Sequence, residues 1–517
     1  MKPLFGRACG ALASGVLLLV LTAAGFPSNP VDEAVSAALA ARGAGFAGRC
    51  ADEVFVRRLY LDVLGTLPRP RETEAFLKST DPDKRTRLVE QLFQREEYAD
   101  WWSLRWGDVL RIKSEFPINL WPNAVQAYHR WVREAVRGNM PFDVFARALL
   151  TSSGSNFRDP PVNFYRAVAA RDPTSLARAA ALTFMGARLE SWPASAQADT
   201  AAFFSRVAFK KTLEWKEEIV YPDPLAAGDL AARLPDGRTV VIPETVDPRT
   251  VFADWLTQPD NPWFARALVN RVWYWLLGTG ITEPADAIPR GPDGRPASAG
   301  AGEEVLRTLE RQFRASGYDL RSLLRLILTS RTYQQSSAAI PGGTPAELAF
   351  TRYTIRRLDA EILADALTWL GGVGPGYSSP IPEPFTFVPD SNRTIALADG
   401  SITSPFLVRF GRPSRDTGLL SERSNQPSDE QALYLLNSSD VKKRIDSSPV
   451  LKPVYNLPKA RRAEQVRLVY FILLARFPTE EEQNLVTSYA EASGDPSRAV
   501  RDLAWALINS KEFLYRH

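Results

Sequence analysis

The stretch Glu53–Val63, which reads EVFVRRLYLDV, sets the pattern from which the fold of this chain can be predicted. Its apolar side chains recur at spacings of three and four residues, at Val56, Leu59, Tyr60 and Val63. Its polar side chains fall largely on the other side, at Arg57, Arg58 and Asp62. Residues three and four apart share one face of an α-helix, so the stretch predicts an amphipathic helix.

The same spacing recurs along the chain and predicts a mainly α, multi-helical protein of two domains joined by a small β-containing linker. The further helical stretches are Thr86–Tyr98, Trp101–Ile112, Ala124–Val136, Phe142–Leu150, Trp263–Leu277, Glu303–Phe313, Leu320–Leu328, Ile355–Leu370, Glu430–Leu436, Glu464–Leu474 and Arg498–Ile508. Strand alternation is scarce. The best case is Arg238–Ile242, and we expect it to pair with a run near Trp215–Val220 as a small hairpin.

A short repeat occurs near both ends of the chain and in its middle: two leucine-type residues four apart, then an aromatic residue six positions later. Its copies are Leu88, Leu92 and Tyr98; Leu323, Ile327 and Tyr333; and Leu503, Leu507 and Phe513. Residues four apart lie on one helical face. We therefore interpret each copy as an amphipathic helix closed by an aromatic plug, with a structural role.

The first 25 residues have the three parts of a secretory signal peptide. Lys2 and Arg7 give a positive start, an uncharged run containing GVLLLVL at 15–21 follows, and small residues occupy 22–25. The apolar run is shorter than the roughly 20 residues of a membrane span, and no later segment is apolar enough to span. We predict a periplasmic or secreted protein with no stable membrane span after cleavage; an uncleaved anchor is the alternative.

Sulfur and imidazole groups are scarce in the predicted mature chain. Cleavage would remove Cys9 and leave Cys50, and the histidines are His129 and His517. These residues are too few for a four-cysteine zinc site, an iron–sulfur cluster or a Cys-x-x-Cys-His haem attachment. We therefore predict no metal and no cofactor, and we expect His129 to be a packed residue rather than a catalytic one.

The charge balance bears on the class of partner. The chain has 63 basic and 59 acidic residues, a formal net charge of +4. Nucleic-acid binding depends on many phosphate contacts, so this balance disfavours it. The sequence also lacks a phosphate-binding loop, a dinucleotide fingerprint and a Gly-x-Ser-x-Gly nucleophile elbow.

Breaks in the helical pattern predict the domain organisation. Residues rich in Gly, Pro, Ser or Asn occur at 222–237, 291–302 and 371–400. We predict a signal peptide at 1–25, an N-terminal helical domain at 30–210, a linker with short strands at 211–247 and a C-terminal helical domain at 248–517.

Several phrases in fixed order carry a resemblance to a known family. They are ADWLTQPDNPWFAR at 253–266, VNRVW at 269–273, GYDL at 317–320, SRTY at 330–333, FGRPSRD at 410–416, ERSNQP at 422–427 and WALINSKEF at 505–513. The chain resembles secreted planctomycete and verrucomicrobial proteins that carry a pair of cytochrome-associated domains of unknown function, of the PSCyt and PSD type. The resemblance implies export and a two-domain architecture, but it implies no reaction.

The chain departs from the family where members commonly carry Cys-x-x-Cys-His. Here Ser191 and Ala194 stand in the places of the two thiolates, and Ser195 stands in the place of the histidine. A second cysteine cluster, usual before the Glu422-Arg423 pair, is replaced by GLLS at 418–421. Serine and alanine cannot form a thioether or act as soft metal ligands, so we infer that a haem or metal role of this loop is absent.

The densest polar segment, residues 409–426, is the first candidate site. Its charged side chains near Gly and Pro include Arg409, Arg412, Arg415, Asp416, Glu422 and Arg423. Guanidinium groups grip carboxylate, phosphate or sulfate at two points, so the loop could bind an anion or take part in catalysis. The alternative is a loop held between domains by internal arginine–carboxylate pairs.

The second candidate is Asn270 with Arg271, next to Trp273, Tyr274 and Trp275. Polar residues inside an apolar helix are costly to bury unless they are hydrogen-bonded. They either cap a neighbouring loop or border a groove with exposed aromatic rings for a glycan or peptide. A carboxylate cluster at 214–218 could serve glycoside hydrolysis, but solvated charge is the simpler interpretation.

Three functional hypotheses follow, and the sequence leaves it open whether the protein is an enzyme. The first is a non-catalytic binding or assembly protein at the cell envelope, with an envelope protein or polysaccharide as its partner. The second is a hydrolase of an envelope glycan or sulfated polymer that uses Arg412 and Arg415 as anion grips. The third is a haem-free partner of a separate cytochrome c.

Overall fold

The computed structural model describes residues 29–338, 350–389, 391–493 and 496–517. The predicted signal peptide lies outside these residues. The described part is 53% helical and contains 23 α-helices, and its sheets are small, with two or three strands each. This confirms the predicted mainly α fold.

The helices of the first half are α1 (Pro30–Ala40), α2 (Asp52–Val63), α3 (Pro70–Lys78), α4 (Lys84–Phe93), α5 (Glu96–Val109), α6 (Pro122–Arg137), α7 (Phe142–Thr151), α8 (Asn163–Arg166), α9 (Pro173–Ala180) and α10 (Ala194–Ala202). Those of the second half are α11 (Pro248–Leu256), α12 (Phe264–Leu277), α13 (Glu303–Ala315), α14 (Leu320–Leu328), α15 (Ala360–Gly371), α16 (Pro405–Arg409), α17 (Asp429–Asn437), α18 (Ser439–Asp446), α19 (Lys452–Tyr455), α20 (Arg462–Leu474), α21 (Glu480–Ala492), α22 (Pro496–Ile508) and α23 (Lys511–Leu514).

The strands are β1 (Gly154–Ser155), β2 (Val207–Lys211), β3 (Glu218–Pro222), β4 (Leu230–Arg233), β5 (Thr239–Ile242), β6 (Arg356–Arg357) and β7 (Tyr515–Arg516). The predicted hairpin between 238–242 and 215–220 is wrong. Strand β5 pairs with β4, whereas β3 pairs with β1 and β2. The reason is local: the turn Pro235-Asp-Gly237 folds β5 back onto the strand just before it.

Helix α2 forms as predicted, but its polar side is not solvated. Arg57, Arg58 and Asp62 are all at most 3% exposed. The Arg57 guanidinium donates to the carbonyls of Leu473 and Phe513, at 2.8 and 2.9 Å. The helix is therefore enclosed by residues from the far end of the chain, which the periodicity of a single helix does not reveal.

The three predicted aromatic plugs are buried: Tyr98, Tyr333 and Phe513 are at most 1% exposed. They belong to one contiguous hydrophobic core to which both halves of the chain contribute. Two short elements join the ends of the second half, because β6 pairs with β7 through Arg356 opposite Arg516. This pairing brings the arginines of 356–357 and 516 to one place.

None of the helices in the described ranges combines the length and the apolar character that a bilayer crossing requires.

Candidate functional site

A cavity of about 470 Å³ opens where α5 of the first half meets the 413–427 loop and the β6–β7 pair of the second half. We call it the arginine cleft. The charged residues that line it are Arg105, Asp108, Arg356, Arg357, Arg423 and Arg516. Of the residues that the sequence singled out, Arg423 thus lines the cleft directly.

Arg415 anchors the 413–427 loop to α5 from behind. Its side chain is 1% exposed, and its Nε donates to the Asp108 carboxylate at 2.9 Å. The guanidinium passes so close to Gly107 that a Cβ there would lie 3.1 Å from it, and a Cβ on Gly400 would lie 2.8 Å from the Arg415 Cδ. The two glycines therefore leave room for a buried arginine.

Arg423 joins three elements at the cleft wall. It donates to Glu361 of α15 at 2.6 Å and to Asp108 of α5 at 2.7 Å. Arg412 lies behind it, 3.5 Å from Glu361, and donates to the carbonyls of Asp399 and Ile402. Burial lowers the pKa of Arg412 to about 10, and the neighbouring charge of Arg415 adds to the effect.

Asp359, at the start of α15, has no exposed surface. It accepts hydrogen bonds from Arg105, at 2.8 Å, and from Arg516. Burial alone would raise the pKa of Asp359, but the charges of Arg105, Arg516 and Arg423 together hold it well below its ordinary value. The pKa of Asp108 is lowered in the same way, because the charges of Arg423 and Arg415 outweigh the effect of burial, which alone would raise it.

Arg356 and Arg357 are neighbours on β6 with different partners. Arg356 donates to Asp62 at 2.8 Å. Arg357 bonds to the Gln426 carbonyl and the Gln431 side chain, and no carboxylate of the described chain lies within 4 Å of it. Its Nη2 group is buried and has no hydrogen-bond partner among the described residues.

The network as a whole has more cations than anions. Six guanidinium groups share four carboxylates, those of Asp62, Asp108, Asp359 and Glu361, and Arg357 adds a seventh guanidinium group without a carboxylate of its own. The site thus carries three positive charges in excess, next to a cavity and in surroundings of low dielectric. Such an arrangement attracts an anion.

The remaining candidates of the first segment, Arg409, Asp416 and Glu422, do not line the cleft. Asp416 accepts from Lys113 of the first half at 2.6 Å, and Glu422 accepts from the backbone amide of Asp416 at 3.2 Å and from Thr417. Arg409 pairs with Glu430 at 2.7 Å. These contacts fix the loop and leave the cleft itself to the residues behind it.

The second candidate pair is wholly internal. Asn270 and Arg271 of α12 are 0% and 1% exposed. Asn270 bonds to both the amide and the carbonyl of Thr282, at 2.9 and 2.8 Å. Arg271 donates to the carbonyls of Leu182 and Thr183, at 2.7 and 2.6 Å. These two carbonyls belong to a π-helical turn, Ala181–Met185, so Arg271 caps a helix end.

The aromatic neighbours of this pair do not form an open groove. Trp273 and Trp275 are 2% and 6% exposed. Tyr274 and Trp275 instead contribute one wall of the arginine cleft. The carboxylates of the 214–218 cluster are used locally; Glu217 accepts from Ser155 at 2.5 Å, and Glu218 pairs with Arg166 at 2.6 Å.

His129 is buried next to Ser103, with 3.4 Å between its Nε2 and the Ser103 Oγ. Burial, with the nearby charges of Arg415 and Arg133, lowers its pKa to about 3, so the ring is neutral near pH 7. No group of three or more His, Cys, Asp and Glu suited to a metal ion occurs in the described ranges.

The two segments in which the resemblance led us to expect cysteines, near 188–195 and 418–421, are linked to each other. Asp286 accepts from Arg188 at 3.1 Å and from the backbone amide of Leu420 at 2.8 Å. Ser191 bonds to the Arg188 carbonyl at 2.7 Å. The donor set at this place is hydroxyl and carboxylate, which does not fit a thioether-linked haem.

Sequence reasoning missed most of the cleft: Arg105, Asp108, Asp359, Glu361, Arg356, Arg357 and Arg516. One signal was present, because Arg105 and Asp108 interrupt the tryptophan-rich helix WWSLRWGDV at 101–109. Charges inside a helix with apolar residues on every side must find buried partners. Nothing in the sequence says that these partners lie 254 residues away for Arg105 and 307 and 315 residues away for Asp108.

Comparison with known proteins gives the family. Residues 30–209 match PSCyt2, described as a protein of unknown function (DUF1549), and residues 248–490 match PSD1, described as a protein of unknown function (DUF1553). Neither a curated protein nor a solved structure matches the chain. The two family matches cover most of the sequence in the order already described. The chain therefore belongs to the proteins that pair these two domains of unknown function.

Proposed function

We propose that this protein is an exported, non-catalytic binding protein of the cell envelope, and that the arginine cleft holds an acidic group of its partner. The observation that carries the proposal is the charge surplus: beside a cavity, seven guanidinium groups stand against four carboxylates, and six of the seven are paired with those carboxylates. Export is supported by the composition of residues 1–25.

Arg357 is central because it is the lining cation without a carboxylate neighbour within the described structure. The other lining arginines are already paired, so a ligand would share them with Asp62, Asp108, Asp359 or Glu361. A carboxylate or sulfate next to Arg357 would instead meet a guanidinium that is paired with no carboxylate of the described structure. Two parallel hydrogen bonds from this guanidinium to the anion would give both affinity and orientation.

Binding is favoured over hydrolysis by the state of the carboxylates. Glycoside hydrolysis needs a carboxylic acid that keeps its proton near neutral pH. The arginines hold the pKa of Asp108 and of Asp359 below its ordinary value, in spite of burial. The carboxylates described in this cleft are therefore suited to fix arginines rather than to donate protons.

Isothermal titration calorimetry with sodium sulfate, at constant ionic strength, tests the proposal. We expect one sulfate to bind per wild-type chain and Arg357→Gln to bind at least about tenfold more weakly, because a charged hydrogen bond contributes about 1.5–3 kcal/mol. Arg87→Gln is a matched control, since the Arg87 side chain is 68% exposed on α4. Equal binding by wild type and Arg357→Gln, or no binding at all, would contradict the proposal.

A further inference from the structure

The arginine cleft offers more than positive charge, and this bears on the chemistry of its ligand. Four of its lining residues have buried polar atoms without a hydrogen-bond partner among the described residues: the donors Nε of Arg356, Nη2 of Arg357 and Nε of Arg516, and the acceptor Oδ1 of Asn425. Unpaired buried atoms also occur elsewhere in the described residues, but these four belong to residues that line one cavity. A ligand that brings both an acceptor and a donor would satisfy Arg357 and Asn425 together.

This requirement excludes a simple anion as the best ligand. Sulfate and carboxylate ions have only acceptor oxygens, so they can serve Arg357 but not the Asn425 oxygen. A hydroxyl group beside the anionic group supplies the missing donor. The amide nitrogen of Asn425 is already used, because it donates to Asp359 at 2.9 Å.

The walls and the volume of the cleft also favour a ligand larger than a simple anion. Tyr274, Trp275 and Tyr515 lie along it, together with the apolar side chains of Val109 and Leu419. Aromatic faces pack against the C–H face of a sugar ring, while planar guanidinium and amide groups bond to its oxygens. The volume of about 470 Å³ falls in the range of small-molecule sites and exceeds the needs of a single ion.

We infer that the ligand of the arginine cleft is an acidic saccharide, whose anionic group binds Arg357 and whose neighbouring hydroxyl donates to the Asn425 oxygen. The inference rests on the proposed function, since it names the chemical class of the bound acid. It concerns a hydroxylated acid with a ring face, as distinct from an inorganic anion or an acidic peptide.

Calorimetric titration of the wild-type chain with digalacturonate, sodium sulfate, cellobiose and triglutamate, at one ionic strength, tests this inference. We expect digalacturonate to bind at least about tenfold more tightly than each of the other three, because it alone combines charge, hydroxyl donors and ring faces. Triglutamate binding as tightly as digalacturonate would overturn the inference in favour of a peptide ligand. Equal affinity for digalacturonate and sulfate would overturn it and leave the proposed function standing, whereas no binding by any acid would overturn both.

A substitution at Asn425 tests the proposed hydrogen bond to the ligand hydroxyl. Asn425→Leu removes the acceptor at nearly constant volume, so we expect digalacturonate to lose about tenfold in affinity and sulfate to bind as before. An equal loss of affinity for both ligands, in a variant whose thermal unfolding midpoint is unchanged, would show that Asn425 does not accept a hydrogen bond from a ligand hydroxyl. The wild-type comparison decides the ligand class by itself if this variant does not fold.

Discussion

The arginine cleft and the Asn270–Arg271 pair contain the same kinds of side chain but differ in how these are satisfied. Arg271 donates hydrogen bonds to two backbone carbonyls at 2.6 and 2.7 Å, and Asn270 is hydrogen-bonded to both the amide and the carbonyl of Thr282. In the cleft, cations outnumber carboxylates, and Arg357 has no carboxylate within 4 Å among the described residues. An unpaired buried nitrogen does not separate the two regions, because the Nε of Arg271 and the Nη2 of Arg357 both lack a partner among the described residues. The difference lies in the surplus of positive charge beside a cavity.

The comparison also separates two roles within the 409–426 segment. Arg415 is buried behind the loop and bonded to α5, so it holds the two halves of the chain together. Arg423 does the same on one side but lines the cleft on the other. Substitutions should accordingly affect stability, ligand affinity or both, according to where each residue lies.

The largest effect is expected at Asp359, which three arginines share. Asp359→Asn should lower the free energy of unfolding by about 3–5 kcal/mol, since it leaves buried cations without their partner. It should also strengthen sulfate binding, because the cleft becomes more positive. Urea denaturation and calorimetry on the same preparation measure both quantities. A variant as stable as wild type, or one that binds sulfate less tightly, contradicts this interpretation.

The same variant predicts a pH dependence with a definite sign. The pKa of Asp359 is lower in the folded state than the ordinary value of 3.8. Its ionised form thus contributes stability above about pH 4, and this contribution is lost as the pH falls from there. The difference in unfolding free energy between wild type and Asp359→Asn should therefore shrink below pH 4. A difference that stays constant down to pH 2 would argue against an ionised, arginine-bound Asp359.

A somewhat smaller effect on stability is expected at Arg271. Arg271→Met should lower the free energy of unfolding by about 2–4 kcal/mol, because two buried carbonyl oxygens lose their hydrogen-bond donors. Sulfate affinity should not change, since the residue does not line the cleft. Urea denaturation and calorimetry test the two halves of this prediction, and a loss of affinity in a folded variant would refute the division between the regions.

Arg357→Lys tests whether Arg357 contributes to ligand affinity rather than to stability. Lysine keeps the charge but loses the planar fork that grips an anion at two points. We expect the affinity for sulfate to fall about three- to fivefold and the free energy of unfolding to change by less than about 1 kcal/mol, because lysine keeps the positive charge and can still donate to the Gln426 carbonyl or the Gln431 side chain. A destabilised variant with unchanged affinity would place Arg357 with the structural arginines.

The smallest effect is a predicted constancy. Sulfate affinity of the wild type should vary by less than about twofold between pH 5 and pH 8, because the arginines stay charged and Asp108 and Asp359 stay ionised in this interval. Calorimetry across the interval checks this. An affinity that falls with a midpoint near pH 6 would mean that a group outside the described network controls binding.

The sequence predicted the helical fold because local spacing determines helices, and α2 begins and ends within a residue of the predicted stretch. It did not predict that Arg57, Arg58 and Asp62 are buried, since their partners come from the other end of the chain. The hairpin of β5 was assigned to the wrong strand because alternation shows that a strand exists and not which neighbour it takes.

The candidate site was predicted in part. The 409–426 segment was recognised by its density of arginines, and the structure shows the internal arginine–carboxylate pairs that were one of its two alternatives. Anion binding by the segment stays a prediction. The rest of the cleft comes from α5, β6, α15 and β7, which lie far apart in sequence. Long-range pairing between Arg105 and Asp359 leaves no periodicity that a single sequence could show.

Crystals of the protein soaked in selenate, a sulfate analogue with an anomalous signal, test most directly whether the arginine cleft is an open anion site. We predict a selenium peak inside the cleft, within hydrogen-bond distance of the Arg357 guanidinium, that is missing from crystals of Arg357→Gln treated alike. A cleft without a peak in the wild type, or a peak that persists in the variant, would contradict the proposed role of Arg357.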